Sequence, residues 1–167
     1  TLDTMQKRKH WNLGAKLAVA AAPFALLALL SISLTLWVSW QLDGGAAAVN
    51  EAGRMRMQAY RMSLLVAAGE RTLLPEARTE FERSLSLLSH GDPERPLFMP
   101  RDEDIRSRFD AVGQHWRQYS QHWLDEQPAD NRGLREETAR FTGRIDALVA
   151  GIEAHMSRWT ALLNLMQ

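Results

Sequence analysis

The chain has 167 residues, with twenty Lys and Arg balanced by twenty Asp and Glu, and no cysteine. The balanced charge gives no reason to expect nucleic acid as a partner, and the missing cysteines rule out disulfides and thiolate metal sites. With one stretch set aside as an anchor, roughly 125 residues remain, which suits a single small domain.

Charge is unevenly placed at the start: Lys7, Arg8, Lys9 and Lys16 face one acid, Asp3, within the first sixteen residues. From Leu17 to Leu42 there follow twenty-six residues without a formal charge. As a helix they reach about 39 Å, more than the ~30 Å hydrocarbon core of a bilayer. Pro23 falls early enough to be tolerated. Trp37 and Trp40 stand near one end and Trp11 near the other, where interfacial aromatics belong. The expected arrangement is residues 1–16 in the cytoplasm, 17–42 as a transmembrane helix, and 43–167 outside. The basic cluster sets the orientation. In a Gram-negative bacterium this means the inner membrane, with the outer region periplasmic and lipid as a partner. The competing reading is a secretory signal cut near Ala46, Ala47 and Ala48, but its apolar stretch would be shorter, ~7–15 residues.

The outer region reads as an all-α fold, an antiparallel four-helix bundle into which the transmembrane helix continues. Helix 1 runs on to about Ala68, weakened locally by Gly44 and Gly45, and Gly69 and Pro75 separate it from helix 2. Helix 2 covers about Pro75–Ser89, with Ala77, Phe81, Leu85 and Leu88 on one stripe. Three prolines and a glycine make His90–Arg101 a loop. Helix 3 is expected from Asp102 to Asp125, with Ile105, Phe109, Val112, Trp116, Tyr119 and Trp123 spaced 4-3. A turn follows, with Asp130 or Asn131 as the N-cap of helix 4. Helix 4 repeats the 4-3 spacing through Leu134, Thr138, Phe141, Ile145, Leu148, Ile152, His155, Trp159, Leu162 and Met166. Such a seam specifies a left-handed bundle. Its apolar end suggests a chain cut before a second span.

On a helical wheel, Arg56 falls in the middle of the small, apolar arc of helix 1, among Ala52, Gly53, Ala59, Tyr60 and Ser63. Arg54, Arg61, Asn50, Glu51 and Gln58 fall opposite. A desolvated guanidinium there requires an acceptor. Two readings stand. Arg56 pairs with a carboxylate of another helix or snorkels to water. Alternatively, helix 1 packs on its own copy around a two-fold axis, and two Arg56 side chains converge on a small anion. Two charges ~7 Å apart repel by about 2.4 kcal/mol at an effective dielectric of 20, a penalty an anion between them would remove.

Residues Asn50–Arg61 read N-E-A-G-R-M-R-M-Q-A-Y-R. The segment resembles the periplasmic motif that follows the first span of nitrate/nitrite sensor histidine kinases of the NarX and NarQ type, N-x-A-G-x-x-R-M-Q-S-Y-R. Asn50, Ala52, Gly53, Arg56, Met57, Gln58, Tyr60 and Arg61 supply the matching places over about twelve residues. Sensor domains of type IV pili chemoreceptors share parts of the motif. The resemblance implies a homodimer formed through helix 1, with nitrate or nitrite at its interface. The ligand residues would be Arg56, Gly53, Met57 and Arg61, supported by Asn50, Ala52, Gln58 and Tyr60. Two positions depart: Glu51 stands where the best-known nitrate sensor has lysine, and Arg54 where a small or uncharged residue is expected. The resemblance also implies a parent kinase whose catalytic domains lie outside these residues, and a response regulator reached only through them. Signalling would then be a small helix displacement, of order 1–2 Å.

Other residues carry less. His115 and His122 lie seven apart on one helix, about 10.5 Å, too far to share a metal, and read as bundle-edge residues. His155 reads as a core-edge histidine. With no carboxylate pair, nucleophile or metal set in view, neither an enzyme nor a cofactor is expected in these residues. Two other functions remain open: the sensor of a methyl-accepting chemoreceptor-like transducer, and a membrane-anchored bundle that binds no ligand.

Overall fold

The computed structural model of the chain describes residues 13–126 and 131–165. Four α-helices run in order: α1 Leu13–Ala68, α2 Leu74–His90, α3 Glu103–Tyr119 and α4 Asn131–Leu165. A 3-10 turn, Arg71–Leu73, precedes α2, and a π-helical turn, Ser120–Asp125, extends α3. The chain divides into two compact units, Thr1–Ser39 and Trp40–Gln167.

The described part of the first unit is helical, and its leucines have no core to enter. Leu26, Leu27, Leu29 and Leu30 are each at least 60% exposed. A water-soluble helix buries one stripe, whereas this one is apolar all round and long enough to cross a membrane. Pro23 lies inside it.

The second unit has its own core. Ala48, Ala52, Met55, Ala59, Met62 and Val66 enter from α1, Ala77, Phe81 and Leu88 from α2, Ile105, Val112, Trp116 and Tyr119 from α3, and Leu134, Phe141, Ile145, Leu148 and Ile152 from α4. The α1 set is spaced 4-3-4-3-4 and packs as a heptad seam. The helices are antiparallel neighbours. Arg56 and Tyr60 of α1 meet Asp146 and Thr142 of α4, while Ile105 and Tyr119 of α3 meet Gly151 and Thr138. Phe81, Trp116, Tyr119 and Phe141 form the aromatic centre, with Phe81 and Trp116 rings 4.3 Å apart. Tyr119 donates to Thr138 Oγ1 at 3.0 Å, because that hydroxyl already donates to the Leu134 carbonyl. Burial raises the Tyr119 phenol above its ordinary range.

The helix ends follow capping chemistry. Gly69 takes φ +74°, and Glu70 N–H reaches the Leu65 carbonyl at 2.9 Å, closing α1 with a left-handed cap. Asp102 caps α3 by accepting from the Asp104 and Ile105 amides. Helix α1 does not break at Gly44 and Gly45; both are buried by neighbours, Phe98 over one and Met156 over the other.

Several expectations shift. Helix 3 does not reach Asp125 as an α-helix; the hydrogen-bonding register loosens to π at Ser120. Asp102 is its cap, not its first residue. In the α4 seam, Leu134 through Ile152 are buried, His155 and Trp159 half-buried, and Leu162 exposed. Trp11, Asp130 and Met166 lie outside the described residues.

Candidate functional site

Helix α1 carries two stripes, not one. The inner stripe is the seam just described. The outer stripe, Ala46, Asn50, Gly53, Met57, Tyr60, Leu64 and Ala67, is also spaced 4-3 throughout. Met57 is 67% exposed, Tyr60 49% and Leu64 70%. Arg56 sits on the boundary between the stripes, roughly 80° of helical rotation from the middle of each.

This corrects the wheel. The centre of the core-facing side is Met55, fully buried, and Arg56 is not desolvated: 52% of its side chain is exposed. The small residues assigned to one arc belong to both stripes, Ala52, Ala59 and Ser63 inward, Gly53 and Tyr60 outward. Averaging over one broad face merged them. The Arg56 guanidinium donates to Asp146 Oδ1 of α4 at 2.9 Å, so within one chain the carboxylate pairing is realised. An ion pair half open to water is worth about 0–1 kcal/mol, so it holds the side chain weakly.

Asn50, Gly53, Arg56 and Met57 line one surface groove together with Val149 and Glu153 of α4. A Cβ added at Gly53 would meet no packed neighbour within 4 Å beyond its own stretch of helix. Internal packing therefore does not require glycine there. Tyr60 follows on the same side, its hydroxyl 3.3 Å from that of Thr142. Ala52 is fully buried and serves the core.

Arg61 goes elsewhere. Its guanidinium donates to Glu80 of α2 at 3.0 Å, and with Gln58 it lines a separate pocket on the α2 side. The structure thus gathers Arg56, Gly53 and Met57 but not Arg61. Glu51 and Gln58, placed by the wheel on a polar side, are 1% and 7% exposed, covered by α2 and the loop after it. Glu51 Oε2 lies 3.5 Å from Arg95 of that loop, while Glu51 Oε1 and Gln58 Oε1 have no hydrogen-bond partner among the described residues. Arg95 is fixed in turn by Asp92 at 2.8 Å, and that pairing holds the Asp92 carboxyl below its usual range. Sequence gave no sign of this, because the covering loop has no periodicity.

The histidines separate into different roles. His115 is buried rather than at an edge. Its Nδ1 accepts from Arg144 Nε at 2.9 Å, so its proton sits on Nε2 and is donated to Glu137 at 2.5 Å. Burial pushes the Glu137 carboxyl up, but bonds from Arg140 and His115 outweigh it and hold it below the usual range. His122 is exposed beside Glu126. His155 accepts from Trp159 Nε1 at 2.9 Å and turns Nδ1 towards Asp102 at 3.6 Å.

Helix α1 thus carries an exposed 4-3 stripe that includes Gly53, with Arg56 at its edge, in addition to its buried seam. Comparison with known proteins agrees with a receptor domain. The chain is 29% identical over 157 residues to the methyl-accepting chemotaxis protein McpN of Pseudomonas aeruginosa, covering 84% of this chain and 29% of that protein. It thus spans under a third of that relative's length. The solved ligand-binding domain of the P. aeruginosa nitrate receptor McpN superposes with a TM-score of 0.58 at 28% identity, over 65% of this chain and 95% of that one. Residues 37–139, well over half of the sequence, match the profile described as "PilJ: Type IV pili methyl-accepting chemotaxis transducer N-term". On that match, the chain belongs to the family of N-terminal regions of type IV pili methyl-accepting chemotaxis transducers.

Proposed function

We propose that this chain is the nitrate-sensing part of a membrane-anchored chemotaxis transducer. Residues 1–16 would be cytoplasmic, 17–42 the first span, and 43–167 the periplasmic sensor. Nitrate would bind between two copies, with Arg56 from each donating to it, Gly53 allowing the backbones to approach, and Met57 beside them. Arg61, tied to Glu80, would support the fold of the site from the α2 side. The likeness to the nitrate receptor's ligand-binding domain over nearly all of that domain carries the reading. A transducer output is favoured over the kinase output because the family match spans residues 37–139, whereas the resemblance to the sensor kinases rests on about twelve residues. Binding would shift α1 against α4 and pass the change to the membrane.

Calorimetry with nitrate on the full chain in lipid nanodiscs tests this. Saturable binding of one nitrate per two chains is expected, and loss of binding in Arg56→Ala. Absence of nitrate binding by the unaltered chain would remove the function. Unchanged affinity in the variant would remove the site.

A further inference from the structure

Three segments distant in sequence bring aromatic rings to one end of the bundle. Trp40 belongs to α1, Phe98 to the connection between α2 and α3, and Trp159 to α4. The Trp40 and Phe98 ring centroids are 4.5 Å apart. Phe98 also covers Gly44, where an added Cβ would collide with its ring, so the close contact depends on glycine. The same connection ends at Asp102, beside His155, to which Trp159 is bonded.

The depth of this end follows from sequence. The uncharged run Leu17–Leu42 exceeds the hydrocarbon core by about 9 Å as a helix. Shared between both ends, that leaves roughly three residues at each in the interfacial layer. Those at the outer end are Trp40, Gln41 and Leu42. Phe98 packs on Trp40 and over Gly44, one turn further out along α1. Met99 beside it is half-buried, and Pro96 and Arg101 are exposed.

We infer that Trp40, Phe98, Met99 and Trp159 form an aromatic seat on the outer membrane–water interface, and that its partner is the headgroup and glycerol layer of the bilayer. The inference rests on the proposed membrane span. Interfacial aromatics favour this layer because their rings are apolar and their edges polar. Within the connection, the acids Asp92, Glu94 and Asp102 outnumber the bases Arg95 and Arg101, and Asp92 is already bonded to Arg95. The attraction is therefore apolar, not a response to anionic lipid. The connection is also held to α1 by Arg95 on Glu51, five residues before Arg56. The seat thus links the interface to the helix that carries the candidate site.

The absence of cysteine makes spin labelling clean. Labels at Met99→Cys, Thr72→Cys at the far end of the bundle, and Leu27→Cys in the span are compared in phosphatidylcholine nanodiscs by collision with oxygen and with a water-soluble nickel chelate. The Met99 label is expected to show a severalfold higher oxygen-to-nickel ratio than the Thr72 label, and Phe98→Ala to lower it. Adding phosphatidylglycerol should change neither. If the Leu27 label meets nickel as freely as the Thr72 label, the span itself fails. If the Leu27 label is deep but the Met99 and Thr72 labels agree, the seat alone is overturned. A ratio that rises with phosphatidylglycerol overturns the apolar account.

Discussion

Arg56 answers to two partners. Within one chain it holds Asp146 at 2.9 Å, with both side chains about half exposed. At the proposed interface it would also hold an anion, and Asp146 would then stand close to that anion with the same sign of charge. At a separation of roughly 7 Å in water, each such repulsion is about 0.6 kcal/mol, so the two Asp146 side chains of a pair cost about 1.2 kcal/mol, or about eightfold in affinity. Asp146→Asn is therefore expected to tighten nitrate binding up to about eightfold, measured by calorimetry on the full chain. Weaker binding would mean that Asp146 serves to aim the guanidinium. Arg61 offers a contrast. Its bond to Glu80 ties α1 to α2 and places it, within one chain, on a different side of α1 from the groove.

At the scale of elements, the start of α3 depends on one carboxylate. The Ile105 amide holds the Asp102 carboxyl below its ordinary range against the opposing effect of burial, and the Asp104 amide and the charges of His155 and Arg158 add to the lowering. A depressed carboxyl stabilises the folded state above its unfolded value, about 3.9, and the contribution is lost as pH falls through the lower folded value. Asp102→Ala should lower the melting temperature at pH 7. The gap from the unaltered chain should begin to narrow below about pH 4 and close only below the lower folded value, where the cap is protonated in both states. A gap independent of pH would mean that the charge of the cap is immaterial. The helices and the α3–α4 seam were legible because each buries one face, so spacing maps directly to packing. Helix α1 was harder because it presents two stripes, and residues of both look small and apolar. Glu51 and Gln58 looked solvated because what buries them is a loop and another helix, which no local pattern announces. The π turn after Tyr119 likewise leaves the 4-3 spacing intact while changing the hydrogen bonds beneath it.

At the scale of the whole molecule, the question is why a stable bundle leaves a second heptad stripe open. Ala46 through Ala67 spans about 32 Å of helix, and its Met57 and Leu64 are largely exposed, with Tyr60 half-exposed. A 4-3 stripe is self-complementary when two copies cross in a left-handed pair. In such a pair Gly53 would be the point of closest approach, one turn from Arg56. Internal stability and assembly then place opposite demands on Gly53. Inside one chain a Cβ there meets no packed neighbour within 4 Å, and replacing glycine within a helix by leucine stabilises it by about 0.8 kcal/mol. Between two chains the same side chain would hold the backbones apart and separate the two guanidiniums. Gly53→Leu is therefore expected to raise the melting temperature of the nitrate-free chain while abolishing nitrate binding and weakening self-association, followed by calorimetry and sedimentation. A loss of both stability and binding would instead assign Gly53 to the fold of the single chain. Unchanged binding would move the anion away from the α1 crossing altogether.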